Sequence, residues 1–148
     1  MAKPKFRNPD KFQVLGHRDW IRNNKPSGNQ GYVAEDLDLV LRVYGAGYHT
    51  DATGKFMLLE LKYRGAWINY AQKKTFGLMH ELLRIADPER KRYIGYYVVQ
   101  YTDEDWDVAR FRINKNRVTR EEFDKFLSFD KEIIEKVDKF RETKRMWR

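Results

Sequence analysis

Nine residues near the middle of the chain decide how it folds: Lys55-Phe56-Met57-Leu58-Leu59-Glu60-Leu61-Lys62-Tyr63. A short apolar run of this kind, bounded by turn formers, predicts a strand in the middle of a sheet. Charges are costly in such a strand unless they have a partner or a task. Glu60 and Lys62 therefore stand out as candidate functional residues.

A second strand is predicted just upstream, over Leu37–Tyr44, where side chains alternate between two faces. Leu39 and Leu41 belong to an apolar face, and Asp38 and Arg42 to the opposite one. The segment between the two strands is rich in glycine, which is typical of a long hairpin loop. The two strands are therefore expected to pair antiparallel.

The hairpin brings three charged side chains together. With the loop roughly centred, paired residue numbers sum to 98 or 100, so Asp38 faces Glu60 or Lys62 on one side of the sheet. A slip of one residue would mismatch the apolar faces, so the register is well specified. Two carboxylates about 5–7 Å apart repel each other unless a cation lies between them. Oxygen ligands without thiols suit Mg²⁺ or Mn²⁺, and Lys62 adds a positive charge beside them.

Helix and strand signals alternate after the hairpin. A helix is predicted over Trp67–Ala86, with His80 on its solvated face. Strands are predicted over Tyr93–Tyr101, as a buried run, and over Val108–Ile113. The residues at steps of three and four that are expected to face the core from the helix are Ile68, Ala71, Thr75, Met79, Leu82 and Ala86.

Two helices are predicted near the C-terminus. Thr119-Arg120-Glu121-Glu122 has the form of a capping box, which predicts a helix to about Ser128. A second helix, rich in lysine and glutamate, is predicted from Asp130 to Lys144. Its apolar side is thin, so it is expected on the surface or against a partner subunit, which leaves a homodimer open. The closing segment 144–148 is expected to be a frayed basic tail.

Composition narrows the classes of function. The 148 residues contain 30 Lys+Arg against 22 Asp+Glu, a net charge of +8, and no Cys. The missing thiols exclude disulfides and thiolate catalysis and favour a cytoplasmic location. No apolar run approaches the ~18 residues of a membrane span, and the excess of positive charge favours nucleic acid as a partner. One domain is expected over 1–148, with a basic segment at 1–34, a core at 35–113, and helices with a basic tail at 119–148.

Asp38, followed 22 residues later by Glu60-Leu61-Lys62 on neighbouring strands ahead of a helix, resembles the PD-(D/E)XK nuclease superfamily. That superfamily includes restriction endonucleases, Holliday-junction resolvases and RecB-like exonuclease domains. Leu37-Asp38 stands where the family has proline and aspartate, and Gln72 falls where several resolvase-like and RecB-like members have glutamine. The resemblance covers about residues 30–113 and depends on a handful of them. It implies an α/β (α+β) fold with a restriction endonuclease-like core, in which helices flank a mixed sheet of four to five strands.

The resemblance also implies an activity. A member of this superfamily would be a Mg²⁺-dependent (or Mn²⁺-dependent) deoxyribonuclease that hydrolyses DNA phosphodiester bonds, and resolvase-like endonucleolytic cleavage is the expected form. Asp38 and Glu60 would hold the metal, Lys62 would orient the attacking water, and Gln72 would assist.

Further residues would complete the site. Many members have an additional acid in an N-terminal helix, and the candidates here are Asp19 or Asp10. Arg42 and Arg64, on the Asp38 face, are expected to bind nucleic-acid phosphates, and Lys73-Lys74 on the helix are expected to contribute.

Two other classes of function stay open. One is a non-catalytic nucleic-acid-binding protein with a nuclease-like fold, in which Asp38 and Glu60 are merely solvated and Gln72 is a structural amide. The other is an assembly protein whose charged C-terminal helix pairs with another subunit. Binding of a divalent metal separates the nuclease from both. Salt-dependent DNA binding separates the first two classes from the third.

Overall fold

The computed structural model of the protein describes residue 23, residues 35–43 and residues 53–147. The chain divides into two units, residues 1–34 and 35–148, and the elements below belong to the second. In the described residues these elements are, in chain order, β1 (Leu39–Arg42), β2 (Phe56–Tyr63), α1 (Tyr70–Ala86), β3 (Tyr93–Tyr101), β4 (Phe111–Ile113), β5 (Asn116–Val118), α2 (Arg120–Leu127), α3 (Lys131–Asp138) and α4 (Arg141–Met146). No helix in these ranges is long and apolar enough to cross a membrane.

The strands form one mixed sheet in the order β1-β2-β3-β4-β5. Only β2 and β3 are parallel, and α1 is the crossover that joins them. The β1–β2, β3–β4 and β4–β5 pairs are antiparallel. The predicted α+β class, a mixed sheet of about five strands flanked by helices, is confirmed.

The hairpin register is one of the two predicted. Leu39 pairs with Leu59 and Arg42 with Phe56, so paired numbers sum to 98. Strand β1 is shorter than predicted because Asp38 precedes its first paired residue. Most of the predicted hairpin loop, residues 44–52, lies outside the described residues.

The alternation along β2 divides the apolar residues into two cores. Met57 and Leu59 pack with Phe123 and Val137 of the C-terminal helices. Leu58 faces the other side and packs with Phe76 of α1. Helices therefore cover parts of both faces of the sheet, and Glu60 shares the face of Leu58.

A register shift near Gly95 sets which β3 residues share that face. Phe56 pairs with Tyr93, but Met57 pairs with Gly95, so one residue of β3 is skipped. A Cβ on Gly95 would lie 2.8 Å from Tyr97 Oη, which leaves room only for glycine. Because of the shift, Tyr96 pairs with Leu58 and belongs to the Glu60 face.

Helix α1 presents a different stripe to the core from the one predicted. Phe76 and His80 are buried, whereas Met79 and Leu82 are exposed. The ring of Phe76 lies 5.4 Å from that of Tyr96, and the ring of His80 stacks on Trp147 at 4.8 Å. The prediction of a solvated His80 is therefore wrong. Both sides of α1 carry apolar residues, and periodicity alone does not choose between them.

The region after β3 also differs from the prediction. The strand predicted over Val108–Ile113 begins only at Phe111, and β5 was not predicted. β4 and β5 are joined by Asn114 and Lys115, whose φ angles of 48° and 69° are those of a two-residue type I′ hairpin turn.

The predicted helix over 130–144 is two helices, α3 and α4, separated at residues 139–140. Ile133, Ile134 and Val137 are buried in the protein's own core, so the expectation of a surface or partner contact for this apolar side is wrong. The expectation of a frayed tail fails at Trp147, whose indole N–H donates to the Tyr96 carbonyl at 3.2 Å.

Candidate active site

Asp38 and Glu60 are brought together by the β1–β2 pairing. Continuing the register by one residue places Asp38 opposite Glu60. The Oδ2 atom of Asp38 accepts the backbone N–H of Leu61 at 2.8 Å, which fixes the carboxylate at the edge of β2. Asp38 is exposed and Glu60 is only 2% exposed, so one carboxylate faces solvent and the other lies in the interior.

Glu60, Lys62 and Gln72 form a closed network. Glu60 Oε1 lies 3.0 Å from Lys62 Nζ and accepts Gln72 Nε2–H at 3.0 Å. Lys62 Nζ also donates to Gln72 Oε1 at 3.2 Å. The four predicted catalytic residues Asp38, Glu60, Lys62 and Gln72 therefore lie together in the structure.

The start of α1 holds Gln72 in place. Asn69 is the N-cap, and its side chain accepts the backbone N–H of Gln72 at 2.8 Å. Gln72 Oε1 in turn accepts the Asn69 N–H at 3.1 Å, which completes a capping box. Asn69 was not among the predicted site residues, although the spacing Asn69-x-x-Gln72 was there to be recognised.

Within residues 35–43 and 53–147, one carboxylate oxygen of Glu60 has no hydrogen-bond partner. Oε2 is buried with no group in hydrogen-bond geometry, whereas Oε1 has two donors. Burial raises the pKa of Glu60 above its ordinary value, and the charge of Asp38 raises it further, while the hydrogen bond from Lys62 lowers it. The backbone N–H of Asp38 also lowers the Glu60 pKa, as the smallest of the causes that shift it. The site therefore holds negative charge that its own cation only partly offsets.

Tyr96 is a neighbour that the sequence did not point to. Its hydroxyl is buried and has no hydrogen-bond partner among the described residues. Burial raises the pKa of Tyr96, and the charges of Glu60 and Asp38 raise it further. The ring belongs to the core, as predicted for this aromatic strand, but the hydroxyl is within the electrostatic reach of both carboxylates. The shared face follows from the β2–β3 register, which local pattern does not supply.

The residues present fit a hard divalent cation. Asp38 and Glu60 supply oxygen ligands, and the unpartnered Oε2 of Glu60 is an acceptor that a cation would satisfy. No group of three or more His, Cys, Asp or Glu side chains suited to a metal occurs in the part of the chain that the structure describes. The predicted third ligand, Asp19, and its alternative Asp10 lie outside that part. Mg²⁺ ordinarily keeps several waters, so two carboxylates are a sufficient protein contribution.

The predicted phosphate-binding residues belong to three separate segments, β1, the end of β2 and α1. Arg42 is four residues beyond Asp38, about 13 Å along β1. Arg64 is exposed just after β2, with φ 55° and its guanidinium 5.0 Å from the centre of the Tyr63 ring. Lys73 and Lys74 are exposed on the first turns of α1, directly after Gln72.

No protein-family model, curated protein or solved structure matches the chain. What can be said of function therefore rests on the site's own residues and geometry.

Proposed function

We propose that the protein is a metal-dependent nuclease of PD-(D/E)XK type that hydrolyses phosphodiester bonds in DNA endonucleolytically. One observation carries the proposal: Glu60 is buried in a central strand with Oε2 unpartnered, beside Asp38 and Lys62. A buried acceptor without a partner costs about 1–3 kcal/mol. A bound cation would remove that cost, because it would satisfy Oε2 and reduce the repulsion between the two carboxylates.

Asp38 and Glu60 would hold Mg²⁺ or Mn²⁺, which when bound would polarise the scissile phosphate and activate a water. Glu60 must be ionised for this task. Burial opposes ionisation, and the ammonium of Lys62 favours it. A bound divalent cation would favour ionisation of Glu60 by the same electrostatic effect, so metal binding would not depend on Lys62.

Lys62 is placed to act on substrate as well. Its side chain is 18% exposed, so the ammonium lies between the buried Glu60 and solvent. We infer that it orients the attacking water and offsets negative charge that builds on the phosphate. An ammonium does not ligate a metal, so this role is separate from the carboxylates' role.

Gln72 positions the other two side chains. It donates to Glu60 and accepts from Lys62, and the capping box fixes its own backbone. Because it joins helix to strand, Gln72 keeps the Lys62 ammonium and the Glu60 carboxylate at a set separation.

The test is cleavage of labelled branched, duplex and single-stranded DNA with Mg²⁺ or Mn²⁺ and with EDTA. We expect Asp38→Asn, Glu60→Gln and Lys62→Met each to lower the cleavage rate at least ~100-fold. Lys62→Met should leave metal binding near normal, whereas the two acid variants should weaken it.

The chain offers a matched control in Glu89 and Lys91, which have the same Glu-x-Lys spacing. Their ion pair of 2.9 Å is exposed to solvent. Glu89→Gln and Lys91→Met should therefore leave cleavage unchanged. Wild-type cleavage that survives EDTA, or full activity in Glu60→Gln, would contradict the proposal.

The second candidate is a non-catalytic nucleic-acid-binding protein. The observation that favours it is the internal pairing of Lys62 with Glu60 and Gln72, which is also a structural arrangement for a buried acid. On this alternative the chain binds DNA without cleaving it under any metal condition, and Asp38→Asn leaves metal binding unchanged.

A further inference from the structure

A cleft of about 560 Å³ lies beside strands β3, β4 and β5. Five arginines from separate parts of the chain line it: Arg64, Arg110, Arg112, Arg117 and Arg120. Such a concentration of one sign of charge around a concave surface attracts anions.

Most of this charge has no counterion among the residues that the structure describes. Arg120 pairs with Asp124 at 3.2 Å and approaches Asp107 at 3.8 Å. The remaining four arginines are exposed, and no carboxylate in residues 35–43 or 53–147 forms an ion pair with them. A ligand with several negative charges would supply the missing partners.

The sheet register connects the cleft to the candidate active site. Lys62 pairs with Gln100, Gln100 with Arg112, and Arg112 with Arg117. Residues paired on adjacent strands point to the same face. A polar and basic row therefore crosses the sheet from Lys62 to Arg117, over three strand spacings or about 14 Å.

Gln100 adds a second, independent feature. It is 8% exposed, and its Nε2 donates to the Ala66 carbonyl at 2.9 Å. Its Oε1 is buried without a hydrogen-bond partner in the part of the chain that the structure describes, and the residue lines the cleft. A water that enters with the ligand would satisfy this acceptor.

We propose that the arginine cleft binds the phosphodiester backbone of a nucleic acid, with the strand crossing the sheet along the row from Lys62 to Arg117. The inference deepens the proposed nuclease function, on which its choice of ligand rests, because it gives the path of the strand away from the carboxylates. One strand presents a phosphate about every 3.4 Å of helix axis. A row of about 14 Å therefore covers about four phosphates, and the cleft offers four unpaired arginines.

The test is binding of a labelled DNA oligonucleotide by fluorescence anisotropy, in EDTA, between ~50 and ~200 mM salt. Arg112→Gln/Arg117→Gln should weaken binding at least tenfold at the lowest salt. It should also make the slope of log affinity against log salt shallower by about 2, close to one for each lost phosphate contact. Lys139→Gln/Arg141→Gln removes two exposed charges outside the cleft and should change affinity less than twofold.

Because EDTA prevents metal-dependent cleavage, the outcome is independent of the carboxylate site. A protein that cleaves DNA under no metal condition would overturn the proposed nuclease function, but a positive binding result would still support the proposed cleft. Equal losses of affinity in the two double variants, or no loss in Arg112→Gln/Arg117→Gln, would overturn the proposal that the cleft binds nucleic acid. So would polyglutamate that displaces the oligonucleotide at equal charge, since that result would favour an acidic protein partner. If the first variant melts below wild type, Arg64→Gln/Arg110→Gln is the replacement, with the same two outcomes.

Discussion

At the scale of single residues, Glu60 has an unusual environment, because it is a carboxylate buried in a central strand. A carboxylate in a central strand loses hydration, and burial raises its pKa. Lys62 and Gln72 replace part of the lost hydration with polar contacts, and both contact Oε1 only. Replacing a buried ion pair by apolar residues is often neutral or stabilising, so stability alone does not explain this arrangement. The proposed metal site would give this position a reason to carry a negative charge.

His80 should make the stability of the fold depend on pH. Burial, with the charges of Arg84 and Arg90, lowers its pKa to about 4, and its Nδ1 lies 2.6 Å from Tyr93 Oη in a hydrogen bond. The unfolded chain takes up this proton at a higher pH, near ~6.5. Stability is therefore complete above that pH and declines as pH falls toward 4, by about 2–3 kcal/mol at pH ~4.5.

Urea unfolding at pH ~7 and ~4.5 measures this contribution. In His80→Gln the difference between the two pH values should be smaller by about 2 kcal/mol, because the group that titrates has been removed. The other titratable groups contribute equally to the pH dependence of both proteins, so their contributions cancel in the comparison. An equal difference in wild type and variant would show that His80 does not titrate as its burial implies.

The sequence predicted that Asp38, Glu60 and Lys62 lie together because their placement depends only on residues close to them in the chain. Strand alternation sets their face, and one hairpin sets their register. Tyr96 and Gln100 share that face through a parallel pairing that includes a shift at Gly95. Neither the pairing nor the shift has a local sequence signal, so these two residues were not predictable.

At the scale of elements, the β4–β5 turn links the sheet to the last helix. Asn114 is fully buried, its Oδ1 accepts the Val98 N–H at 2.9 Å, and its Nδ2 donates to Thr143 Oγ1 at 2.7 Å. The left-handed backbone at this position suits asparagine. The Asn114 side chain thus pairs with a backbone N–H of β3 and with a hydroxyl of α4, while its backbone forms the turn.

Asn114→Ala should lower the free energy of unfolding by about 2–4 kcal/mol, because two buried groups lose partners. Lys115→Ala is the matched control, since it has the same class of backbone conformation but an exposed side chain. Its cost should stay below about 1 kcal/mol. Chemical denaturation of both variants makes the comparison, and equal losses would mean that backbone strain, not the buried amide, dominates.

Element types were easier to predict than the faces of the elements. The capping box at Thr119 is a local signal, and it is confirmed with both of its hydrogen bonds. The core-facing side of α1 is not local, because it depends on where Tyr96 and Trp147 place their rings. The turn that starts β5 uses Asn-Lys in place of the more recognisable Asn-Gly, and three-residue strands carry little pattern of their own.

At the scale of the whole molecule, the two faces of the sheet differ in what covers them. One face is closed by α2 and α3 over the larger core. The other is covered by α1 over the smaller core, and beside it the row from Lys62 to Arg117 ends in exposed arginine. The net charge of +8 is thus accompanied by a local concentration of arginines on the face that carries Glu60, four of which form no ion pair within residues 35–43 and 53–147.

The most direct test of the central claim is calorimetric titration of the wild-type protein with Mn²⁺ and with Mg²⁺, alone and with DNA. We expect saturable binding at the carboxylate pair, lost in Glu60→Gln and kept in Lys62→Met, because the first substitution removes a ligand and the second removes a competing cation. Glu89→Gln should bind as wild type does. Wild-type protein that binds neither metal, with or without DNA, would contradict the claim that Asp38 and Glu60 form a metal site.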